Sequence, residues 1–125
     1  MNQHLSQIDF DPALRPGAFN AVNVCLRLQP EERLTLITDE ATSEIAAALV
    51  SEIEKVGSRY TVFVLENLMP RPLVHMPPAI LDDLQKSDVS ILANITQSGE
   101  LPSRRDMTNV VNRHKIRHAH MVNVN

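Results

Sequence analysis

The 125-residue chain has one cysteine, no tryptophan, three glycines and only four aromatic residues, Phe10, Phe19, Tyr60 and Phe63. Each scarcity excludes something. A single thiol, Cys25, permits neither a disulfide framework nor a cysteine-based zinc finger. Its place on an apolar helix pattern predicts a buried, inert side chain. With glycine only at positions 17, 57 and 99, neither G-x-G-x-x-G nor G-x-x-x-x-G-K-[ST] can be written, which argues against dinucleotide and nucleoside-triphosphate sites. The four aromatics and a net charge of −3 leave little for base stacking or phosphate attraction, so nucleic acid is not an expected partner. No apolar run approaches the ~20 residues of a membrane span, and the N-terminus lacks a basic, apolar leader. The expectation is a cytoplasmic globular domain with no membrane partner.

What is present is a repeated helix and strand pattern. Residues 1–12 are polar and aperiodic and read as a flexible N-terminal arm, leaving 13–125 as a single domain. From Ala13, the spacing of Leu14, Ala18, Val22 and Cys25, with Phe19 and Leu26 on the same side, predicts a helix ending before Pro30. Short β-branched and apolar runs predict strands at 34–38, 61–65, 89–93 and roughly 116–124. Helices are predicted between them. The first is capped by Asp39 and ends at Gly57, the second starts near Pro78, and the third starts at Ser103, with Asp106 completing a capping box. Strand starts recur about every 28 residues, one βα unit each. Strands that are apolar throughout and alternate with helices specify an open, mostly parallel α/β sheet of about four strands, Rossmann-like, with helices on both faces.

In such a sheet, ligands bind at the carboxyl ends of the strands. There the chain carries Asp39, Glu40, Thr42, Asn94, Thr96 and Ser98, the candidate cleft-lining residues. A receiver-domain reading fails, because Asn94 stands where a phosphoacceptor Asp is needed and no Lys follows the last strand. The segment from Arg104 onward has five cations against one acid, so the preceding 103 residues carry −7. Arg104 and Arg105 open a helix where cations oppose the dipole, and they are the candidate anion contacts. His118 and His120 share a strand face with His114 one helical turn before, a spacing open to metal ligation but also to packing.

The stretch Pro16-Gly17-Ala18-Phe19-Asn20-Ala21-Val22-Asn23-Val24-Cys25-Leu26, followed by Thr38-Asp39-Glu40-Ala41-Thr42, resembles the N-terminal domain of the leucyl aminopeptidase family typified by aminopeptidase T. The third strand, from Asp88 to Ile91, is similar too, and the likeness runs from about Leu14 to Val124. It implies a longer parent metallopeptidase in which this part is non-catalytic, walls the active cleft and aids assembly. Its partner would be the C-terminal domain of that parent or a second copy of the chain. The family's divalent metal pair belongs to the C-terminal domain, so no metal ligand and no cofactor is assigned to this chain. A His common before an Arg in relatives is missing from Ser98 to Arg105. Some relatives are ring-cleaving dioxygenases, so the likeness does not fix the reaction. The alternatives are a free-standing module for a small ligand or for oligomerisation, or the N-terminal domain of a related ring-cleaving dioxygenase.

Overall fold

The computed structural model describes residues 10–68, 75–95 and 99–122. The chain begins with a 3-10 turn at Pro12–Leu14, α1 at Arg15–Phe19 and a π-helical turn at Asn20–Cys25. Then come β1 (Arg33–Thr38), a 3-10 turn (Glu40–Thr42), α2 (Ser43–Val56) and β2 (Arg59–Val64). A further 3-10 turn (Leu65–Asn67) leads on to α3 (Pro78–Leu84), β3 (Val89–Asn94), α4 (Leu101–Arg113) and β4 (Arg117–Val122).

All four strands are parallel, in the order β2-β1-β3-β4. The chain steps from β1 outward to β2, then returns past β1 to β3. Crossovers of one hand therefore place α2 on one face and α3 and α4 on the other. The two apolar cores follow that division. Leu34, Leu36, Ile91 and Ala93 pack with α2, whereas Ile37 and Leu92 pack with Ile80, Leu84, Met107 and Val110. Because both faces are covered, β1 and β3 are buried nearly throughout. The reversal of direction puts the topological switch point between the carboxyl ends of β1 and β3, the usual place for a ligand in such sheets.

The N-terminal helix departs from the regular helix the spacing predicts. Its second half is π-helical, with the Leu26 amide donating to Ala21 O at 3.0 Å. The wider turn keeps Ala18, Val22 and Leu26, four residues apart, on the buried side. A step of three then carries Cys25 outward, so the thiol is exposed rather than buried, and Phe19 and Val24 are each 54% exposed. Ala46, Ala47 and Ala48 on α2 are all buried and small, which lets this helix layer approach closely.

Of the arm expected over 1–12, residues 1–9 lie outside the described residues. Phe10 lies under the Arg15 guanidinium at 4.9 Å, and the Asp11 carboxylate accepts from the Ala13 amide at 2.9 Å. α4 starts at Leu101, not at Ser103, because Pro102 suits a first turn where its missing N–H costs nothing. Ser103 lies inside the helix and donates to Glu100 O at 2.7 Å, while Asp106 accepts from the Met76 amide at 3.1 Å. The capping box expected between Ser103 and Asp106 is therefore not formed. His114, at the end of α4, is exposed and does not continue the buried Met107 and Val110 face.

Candidate functional site at the carboxyl ends of the strands

Asp39 directly follows β1 and is fully buried. Its backbone is extended, which frees the side chain to turn back over the helix start. Oδ1 accepts from the Thr42 amide at 3.0 Å and from the Thr42 hydroxyl at 2.6 Å. Oδ2 accepts from the Ile95 amide at 2.8 Å, just past the end of the neighbouring strand β3. The Thr42 hydroxyl also lies 2.8 Å from Ala93 O and 3.0 Å from Thr38 Oγ1. One carboxylate thus caps the turn leading into α2 and clasps the end of β1 to the end of β3. A group held on both oxygens by the protein's own donors is a framework element and is poorly placed to act as a base.

The remaining candidates take different positions. Glu40 is exposed, and its amide donates to Glu66 Oε1 at 3.0 Å, which brings acidic side chains to the rim beside β2. Asn94 ends β3, is 3% exposed, and has its Oδ1 buried with no hydrogen-bond partner. Thr96 and Ser98 lie outside the described residues. Arg104 is partly buried in α4, while Arg105 points to solvent.

The histidine pair lies on the α4 side of the sheet. The register pairs Ser90 with His118 and Leu92 with His120, and the two rings pack edge to face at 4.4 Å. His118 Nδ1 meets Ser90 Oγ at 2.5 Å. Burial, helped by the neighbouring His120, lowers the His118 pKa to about 4. Burial and then the Arg104 charge lower that of His120 as well. Among the described residues, no three His, Cys, Asp or Glu side chains gather as a metal site.

A pH dependence follows from His118. Below its ordinary value of 6.5, the unfolded chain takes up a proton that the folded chain refuses until about pH 4. Stability is therefore complete above pH 6.5 and drains away as the pH falls toward 4. For this partly buried ring the loss is about 2 kcal/mol. Urea melts at pH 7 and pH 4.5 should show a smaller loss for His118→Asn than for the natural chain. Equal losses would show that the ring protonates as freely in the folded state as in the unfolded one.

The strand-end candidates were visible in the sequence, but the link from Asp39 to Ile95 and the contact of Ser90 with His118 were not. Both depend on which strands are neighbours. The alternation of Ser90, Leu92 and Asn94 and of His118 and His120 carried the face of each residue but not its partner. No helix of the described residues is long and apolar enough to cross a membrane. No protein-family model matches the chain, and a search of curated proteins finds no match for it.

Proposed function

We propose that the chain is a non-catalytic α/β domain whose strand-end rim walls the active cleft of an aminopeptidase-T-like metallopeptidase and helps the parent assemble. The carrying observation is the Asp39 clasp. The acid best placed in the crevice spends both oxygens fixing the shape of the rim, as a wall requires and a catalytic acid does not. The partner would be the C-terminal domain of the same parent or a second copy of the chain, in the cytoplasm. The divalent metal pair and the hydrolytic chemistry would belong to that C-terminal domain. The unpartnered Asn94 Oδ1 favours one alternative, a module that binds a small ligand on its own.

The test is to follow the reading frame beyond Asn125 and to assay both products on leucyl substrates with zinc or cobalt. The frame is expected to continue into a second domain bearing Glu, His and Asp, and only the longer protein should turn over. Chelator-sensitive turnover by the 125-residue chain, or a frame that stops at Asn125, would overturn the proposal.

A further inference from the structure

A groove runs between the N-terminal helical segment and the start of α2. Its apolar part has a volume of about 130 Å³, with Leu14, Gly17 and Ala18 on one side and Ile45, Ala48 and Leu49 of α2 on the other. A second, more polar cavity of about 650 Å³ shares Leu14 and Ile45 with it and continues to Asp11, Ser43 and Glu44. Gly17 has no local reason to be glycine. It lies inside α1, where glycine destabilises a helix relative to alanine. Its φ is not positive, and a Cβ built on it meets nothing within 4 Å. Neither the backbone nor the packing of the described residues uses the missing methyl group, so the space it leaves belongs to an occupant from outside.

The mouth of the groove is acidic. Asp11 Oδ1 accepts from the Ala13 amide at 2.9 Å, and Glu44 Oε2 accepts from the Asp11 amide at 3.3 Å, which holds the two side chains together. The second oxygen of each carboxylate takes no hydrogen bond from the described residues, and no cation among them pairs with either acid. The Arg15 guanidinium lies instead over the Phe10 ring, 4.9 Å from its centre. The start of α2 adds about half a positive charge, less than the two carboxylates carry. The matching occupant has a cation at one end and hydrocarbon at the other. Its size is bounded too. An apolar cavity of about 150 Å³ holds a molecule such as benzene, so this one admits a short alkyl chain and not a partner helix.

We propose that this groove binds a short, linear primary alkylamine in its ammonium form, with the ammonium at Asp11 and Glu44 and the alkyl chain against Gly17, Ile45 and Ala48. The site goes beyond the wall role and does not depend on it. A primary ammonium suits the mouth because its three N–H donors can serve both carboxylates at once. The chain supplies the rest, since each methylene taken out of water tightens binding by about fourfold.

The experiment titrates the 125-residue chain at pH 7 with propyl-, butyl- and pentylammonium chloride, and separately with 1-pentanol and sodium pentanoate. Ionic strength is held with sodium chloride, and backbone amide shifts are read by NMR. Saturable shifts at Gly17, Glu44 and Ala48 are expected with the ammonium series, tightening by about fourfold per methylene. Pentanol should bind about tenfold more weakly than pentylammonium, and pentanoate more weakly still. Glu44→Gln should weaken pentylammonium by about tenfold, whereas Glu40→Gln removes the same charge one turn away and should leave the affinity within about twofold. Gly17→Leu places a side chain in the groove and should abolish the saturable shifts while raising the midpoint of a urea melt, because leucine is the better helix former. Should Glu44→Gln fail to fold, the Gly17→Leu result and the probe series decide. The absence of saturation with every ammonium probe, equal affinity for pentanol and pentylammonium, or undiminished binding by Gly17→Leu would overturn the proposal. So would shifts at Gly17 and Ala48 on raising the protein concentration with no probe present, which would make a second copy of the chain the occupant.

Discussion

Asp39→Ala is expected to lower the unfolding free energy by about 3 kcal/mol, well above the ~0.5–2 kcal/mol that a helix cap alone supplies. The excess comes from the far end of the carboxylate. Removing it leaves the Ile95 amide without the acceptor it now has at 2.8 Å and strips the Thr42 hydroxyl of its shortest contact. A fully buried donor left unsatisfied costs about 1–3 kcal/mol, and the half-buried Ile95 amide contributes toward the low end of that range. Asp39→Asn separates the two roles. Its single oxygen serves either Thr42 or Ile95, and its NH₂ group then faces a donor on the other side, so much of the loss should remain. Urea melts of both variants measure the effect, and hydrogen exchange at Ile95 should quicken in each. A loss below about 1 kcal/mol for Asp39→Ala would reduce the residue to an ordinary cap and remove the support for a rigid rim.

The difference between the cap value and the clasp value shows where sequence reading stops. Asp39 before a helical pattern is a local signal, and so are Gly57 after it and the β-branched runs at 34–38 and 89–93. The structure has these elements within a residue or two, as a four-stranded parallel sheet. Strand order is not local. Nothing in the composition of β1 and β3 says that they are neighbours, so the bond from Asp39 to Ile95 had no sequence signature. The Cys25 error has a different cause. Spacings of four and of three are both compatible with an α-helix, and only the π-helical turn separates Val22, buried, from Cys25, exposed. At α4, a Ser-x-x-Asp pattern competed with Pro102 for the helix start, and proline prevailed because its ring already has helical φ. Asn94 was placed at the strand end by sequence, but its lack of a partner required the packing around it.

Asp83→Ala, at the opposite end of the sheet, is expected to cost about 3 kcal/mol. Arg33 opens β1, and its guanidinium pairs with the Asp83 carboxylate of α3. The same guanidinium donates to Thr61 Oγ1 of β2 at 2.7 Å and to Ser87 Oγ at 2.9 Å. Thr35 donates to the other Asp83 oxygen at 2.7 Å. The pair thus ties β1, β2 and α3 together where the sheet begins, with the two side chains only 21% and 13% exposed. An exposed pair would contribute about 0–1 kcal/mol, but removing one partner of a shielded pair strands the other charge. The double variant Arg33→Met with Asp83→Leu should therefore be more stable than Asp83→Ala alone, because no charge is left without a counterion. Denaturant melts of the natural chain, the single variant and the double variant decide this. A double variant less stable than the single one would show that the hydrogen bonds to Thr61 and Ser87, rather than the charge pairing, hold this end together.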